Sequence, residues 1–201
     1  MKKRQDAKDK ILGAAIHEFA YHGFSLSVAR IARKAQVNEI TVWRYFKTKD
    51  ILCHAAIRAA AQQNALIPYL EASLKQNPLP ALSEVITELT RLMLAESADY
   101  YRLIHHAVLC RPDLAEAWDK DKHRPHLHSF LTEYIRRLQA TGMLPAACSP
   151  QEASRDIFGL LLGSFIRNAL MPGSELSDAD PGGAARRLFQ AFEINLGLPQ
   201  A

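Results

Sequence analysis

Apolar side chains return at helical spacing along nearly the whole chain, and no stretch alternates convincingly as a strand would. Ile11, Leu12, Ala15, Ile16, Phe19 and Ala20 form one stripe, with Asp9, Lys10 and Glu18 off it. Gly23 can take a positive φ and end that helix. Ser27 is placed to cap a short second helix with Val28, Ile31, Ala32 and Ala35 inward, Asn38 a third through Phe46, and Thr48 a fourth past Ile51 and Leu52. Pro68 kinks or closes the fourth. Asn77 to Pro80 reads as a linker, followed by helices to about Glu96 and from Asp99 to Cys110, and Trp118 to Pro125 as a polar connection. Pro125 suits the first turn of a helix that Gly142 ends. Ser149-Pro-Gln-Glu152 joins a capping box to a proline at the first helical position, opening a helix to Pro172. Asp180-Pro181 opens the last helix, ended by Gly197, after a loop from Met171 to Asp180. The spacing therefore predicts an all-α chain of about nine helices, divided into residues 1–50 and 51–201.

Composition excludes several classes. The chain has 201 residues, 48% of them hydrophobic and 23% charged, which is ordinary for a globular protein with a sizeable core. The three cysteines, Cys53, Cys110 and Cys148, are an odd number and widely spaced, which fits a reducing compartment better than a disulfide scaffold. No apolar run approaches the roughly 20 residues of a membrane span. The basic start is followed by too short and interrupted an apolar run for a secretory signal, so a cytoplasmic protein is expected, with no membrane partner. The net charge of +4 is uneven: residues 1–50 carry 11 Lys/Arg against 5 Asp/Glu, and the remainder 14 against 16. A basic N-terminus on a mildly acidic body points to an anionic partner.

Residues 25–50, SLSVARIARKAQVNEITVWRYFKTKD, place two short helices around a tight joint, as in a helix-turn-helix. In that unit the second helix enters the major groove of duplex DNA and presents its first residues to base edges. Ile31, Ala32, Val37 and Val42 pack inward by spacing, while Asn38, Glu39, Ile40 and Arg44 point outward. Asparagine pairs with adenine, arginine with guanine, glutamate accepts from cytosine N4, and Ile40 offers methyls to thymine. Ser27, Thr41, Trp43, Tyr45 and Lys49 supply donors of the kind that grip phosphates without reading sequence.

The order of these residues resembles the DNA-binding domain of the TetR/AcrR family of transcriptional regulators. Gly23, Phe24, Ser27, Ile31, Ala32, Ala35, Val37, Thr41, Val42, Tyr45, Phe46, Lys49, Asp50 and Leu52 stand in the register of the family pattern. The match covers about residues 8–55. Gln36 departs from it where the family usually has glycine in the turn, and Trp43 where it usually has tyrosine. The resemblance implies a three-helix helix-turn-helix domain followed by a helical ligand-binding and dimerisation domain. Ser27, Thr41, Tyr45 and Lys49 would anchor the DNA backbone, and Asn38 to Ile40 would face the bases. It further implies a homodimer on a (pseudo)palindromic double-stranded operator, and a small hydrophobic or amphipathic effector that releases a repressor from it.

In the second domain, Leu66, Tyr69, Met93, Tyr101, Ile104, His105, Trp118 and Phe130 are candidates for the effector site, as aromatic and apolar groups with a few polar atoms. Gly159 and Gly163, four apart on one helical face, allow close approach of a second helix, with Phe165, Ile166, Leu188, Phe189 and Phe192 adding apolar area to a dimer interface. The histidines His105, His106, His123, His126 and His128 do not share a face, so no metal site is expected, and no cofactor. No G-x-S-x-G, H-E-x-x-H or P-loop is present, so no enzyme is expected. The competing expectation is a helical small-molecule or lipid-binding module that has lost DNA recognition.

Overall fold

The computed structural model describes residues 2–121, 126–146 and 148–170, together with positions 183, 187 and 190. The described residues form ten α-helices and one π-helical turn, with no strand among them. The all-helical class follows the apolar spacing. Of the helix expected from Asp180, only positions 183, 187 and 190 are described, each helical; the residues of the loop before it up to Asp180, and Leu188, Phe189, Phe192 and His123, lie outside the described residues.

The helices group into two compact units. The first holds Met1–Asn64 and Asp99–Arg124, the second Ala65–Ala98 and Pro125–Ala201. In the first unit α1 (Lys2–His22) packs against α2 (Val28–Lys34) and α4 (Lys49–Gln62), and α2 packs against α3 (Glu39–Tyr45). Ile11, Ala15, Phe19, Ile31, Val42, Leu52 and Ile57 are fully enclosed and form its core. The Phe19 and Phe24 rings lie 5.1 Å apart beneath the α1–α2 turn. Gly23 turns the chain there with φ 72°, and a Cβ at that position would come within 3.7 Å of the His106 ring. The dihedral favours glycine, while the contact with His106 would be ordinary van der Waals packing.

Two more helices complete this unit, α7 (Ala98–Cys110) and α8 (Pro112–Asp119), the latter packing against α4. Spacing predicts a polar connection from Trp118, but Trp118 lies in the last turn of α8 as one of its two buried residues, with Leu114. Pro112 at the first helical position and Asp113 in the first turn are the start signals. Long-range ion pairs close the unit: Arg111 Nη2 donates to Asp50 Oδ1 at 2.9 Å, and Arg58 pairs with Asp121. Cys53 is buried here, and burial pushes its thiol up to about 11, so it is neutral at physiological pH.

In the second unit α5 (Leu66–Ser73) packs on α6 (Leu82–Leu94) and α9 (Leu127–Ala140), and α10 (Pro150–Phe165) packs on α6 and α9. Pro68 falls in the first turn of α5, where its missing N–H is not needed, so it opens a helix instead of closing α4. Ser149 caps α10, accepting from the Glu152 amide at 3.4 Å. Gly142, at φ 75°, follows the end of α9. The Tyr134 hydroxyl donates to the Pro80 carbonyl, and burial pushes that phenol up. A π-helical turn, Ile166–Leu170, continues from α10. No helix among the described residues is long and apolar enough to cross a membrane.

Candidate nucleic-acid interface

The recognition helix is positioned by its caps. Asn38 takes the N-cap of α3 with φ −80° and ψ 157°. Its Oδ1 accepts from the Thr41 amide at 2.8 Å and from the Thr41 hydroxyl at 2.7 Å. Thr48 caps α4 in the same way, accepting from the Ile51 amide at 3.2 Å. Ser27 occupies the N-cap of α2, but its side chain makes no capping hydrogen bond. The two helices meet at Gln36, whose φ is 55°. The departure from glycine therefore places a side chain where the backbone is left-handed. Gln36→Gly is expected to raise stability by up to about 1 kcal/mol, the strain relieved less the added entropy of the unfolded chain. A urea titration of the two proteins reads this, and a lower midpoint for the glycine variant would contradict it.

The outward face is as the spacing implies. Asn38, Glu39, Ile40 and Arg44 are exposed, and Val42 is fully buried beneath them. Val37 is half-buried at the joint. Thr41, Trp43, Tyr45 and Lys49 are half-buried at the rim, and Ser27 is exposed. Two of these donors have partners within the chain. The Thr41 hydroxyl, expected on phosphate, closes on Asn38. The Trp43 indole N–H, also expected on phosphate, donates to Glu39 Oε1 at 3.2 Å. Arg44 lies over the Tyr45 ring, 5.5 Å from its centroid. Exposed Arg33, Lys34 and Lys47 add positive charge around this face.

Between α1 and α2 lies a buried acid that the apolar stripe did not announce. Glu18 is 4% exposed. It pairs with Arg30 of α2, with His22 Nε2 at 3.9 Å and Lys34 Nζ at 4.0 Å. Burial acts to raise its pKa, but the Arg30 hydrogen bond and charge, with His22 and Lys34, hold it below the usual range. The spacing of Glu18 and Arg30 was legible, but not their contact, which joins two helices. On the same helix Tyr21 stacks on His17 at 4.8 Å and accepts from Arg102 Nη1 of α7 at 2.8 Å.

The candidate effector residues divide between the units. In the first, Trp118 Nε1 donates to the Tyr100 hydroxyl at 3.3 Å, and Asn64 Nδ2 to the Tyr101 hydroxyl at 3.4 Å. Burial pushes the Tyr101 phenol up. Ile104 and His105 are half-buried on α7. In the second, Leu66 and Met93 are enclosed in the core, while Tyr69 and Phe130 are half-buried. No group of three metal-ligating side chains converges among the described residues. Of the association residues, Phe165 is 0% exposed and belongs to the core of its own unit. Gly159 is exposed, Gly163 and Ile166 are half-exposed, and a methyl group added at either glycine would meet nothing within 4 Å among the described residues.

This is a helix-turn-helix chain, and comparison with known proteins places it further. Residues 11–56 match the family described as bacterial regulatory proteins, tetR family. The solved structures it resembles include a putative TetR-family transcriptional regulator from Mesorhizobium loti, at 21% identity and a TM-score of 0.67, covering 96% of this chain and 97% of that one. A putative transcriptional regulator from Saccharomonospora viridis in complex with choline matches at 17% identity and a TM-score of 0.73, over 96% and 98%. The fatty acid degradation regulator FadR from Bacillus halodurans matches at 18% identity and 0.68, over 92% and 93%. Residues 11–56 thus match the tetR family in sequence, and the chain shares the fold of these solved regulators.

Proposed function

We propose that the chain is a ligand-responsive DNA-binding transcriptional regulator, acting as a homodimeric repressor that a small hydrophobic or amphipathic molecule releases from its operator. The observation that carries the reading is α3: a capped helix with a buried inner side and an exposed outer side of Asn38, Glu39, Ile40 and Arg44, in a segment that matches tetR-family regulators. Residues 1–50 hold the DNA in this reading. Ser27, Tyr45 and Lys49 grip phosphates, joined by Thr41 and Trp43 where their donors leave their present partners. Residues 51–201 take the effector and the second copy, the open Gly159 and Gly163 face supplying the closest approach between copies. Effector binding shifts the population toward a form whose two recognition helices no longer fit successive major grooves.

The test is selection of duplex fragments from a random pool by the purified chain at low ionic strength. Two inverted half-sites are expected, their centres one helical turn of about 10 base pairs, or a multiple, apart. Choline, held by one similar regulator, and a fatty acid, the class of molecule whose degradation another regulates, are the first molecules to add to the bound complex. A pool that yields no enriched duplex would refute DNA recognition, and a site without internal symmetry would refute the dimer.

A further inference from the structure

We propose that Ile40 reads sequence at the start of α3, by seating the 5-methyl group of a thymine in each half-site. This rests on the DNA-binding reading above and goes beyond it by choosing among the residues at the start of α3. Bidentate pairing of Asn38 with adenine needs its carbonyl as well as its amide N–H, and that carbonyl already accepts twice from Thr41, so reading adenine this way would undo the cap. Glu39 is held along the helix by the Trp43 indole, and its carboxylate is repelled by the phosphates on either side of a groove. Ile40 has neither restriction. It is 78% exposed, more than any other large apolar side chain among the described residues.

The chemistry of the groove completes the match. The thymine methyl is the apolar group that a base pair displays in the major groove. A β-branched side chain in a helix keeps essentially one χ1 rotamer, so the Ile40 methyls are already fixed in direction. Contact with thymine therefore removes exposed apolar surface from water on both sides, with little ordering of the side chain.

The experiment takes the duplex selected by the full-length chain and replaces its thymines one at a time with uracil. This removes the methyl and leaves every hydrogen-bonding edge unchanged. Affinity is expected to fall about fourfold at one thymine of a half-site, and about fifteenfold when both half-sites are changed. The variant Ile40→Ala should bind the thymine and uracil duplexes equally, while other substitutions still weaken it. The uracil series needs no variant, so a folding defect cannot obscure it. A selected half-site without thymine, a wild-type chain indifferent to every uracil, or an Ile40→Ala variant that keeps the methyl preference would each overturn the proposal while leaving DNA binding intact. Failure to select any duplex would overturn the underlying reading instead.

Discussion

Arg30→Ala is expected to lower stability by about 2 kcal/mol at neutral pH, and the loss should shrink as the solution is acidified. Removing one member of a fully buried pair costs roughly 3–5 kcal/mol, because a charge is left in the interior. Here Arg30 is itself half in water, so the lower figure applies. The pH dependence follows from Glu18. In the wild-type chain its carboxyl titrates below the usual range, so its contribution is present above the unfolded pKa and disappears as pH falls through the folded one. Without Arg30, burial is opposed by the more distant His22 and Lys34, with the His17 imidazole Nδ1 3.5 Å from the carboxylate, and the carboxyl moves up. A raised folded pKa reverses the sign: the ionised form now destabilises the fold, and protonation relieves it. The gap between variant and wild type should thus be widest at pH 7 and narrow toward pH 4. Urea midpoints across that range measure it. A gap that stays constant would mean that Arg30 acts by packing its stem, not by its charge.

The same pair shows where the amino-acid sequence stops being readable. Gly23, Asn38, Thr48 and Ser149 announce their turns and caps because each answers a local need, a positive φ or an orphan amide. Glu18 answers a distant one. Off the apolar stripe, it reads as a solvated charge until α2 folds back and brings Arg30 to it. Asn38 was legible as a cap and as a base reader, but the two roles use one carbonyl oxygen, and that competition appears only in the hydrogen bonds. The Trp43–Glu39 contact has i,i+4 spacing and is local enough to be legible in the sequence. In the same way, the polar run after Trp118 concealed α8 although Pro112 marked its start. The wider first unit was not legible at all. It depends on contacts such as Arg111 with Asp50 and Asn64 with Tyr101, whose partners lie 61 and 37 residues apart. Periodicity says which face of a helix is apolar, not which distant helix will cover it.

Lys49→Ala should weaken binding to every duplex alike, by about a hundredfold for a dimer at low salt. A charge-assisted hydrogen bond to phosphate contributes roughly 1.5–3 kcal/mol, or tenfold and more, and a dimer loses two. Lys49 stands at the first position of α4, half-buried, just after the Thr48 cap, which fixes where its side chain leaves the backbone. It neutralises charge and carries no information about bases, so the selected operator and an unrelated duplex should lose affinity by the same factor. Each lost phosphate contact also keeps about one counterion on the DNA. The slope of log affinity against log salt should therefore flatten by about two for the dimer, and the deficit should narrow as salt rises. Lys49→Arg preserves the charge and should restore the slope. A loss confined to one sequence would make Lys49 a base reader, and an unchanged slope would take it off the phosphates altogether.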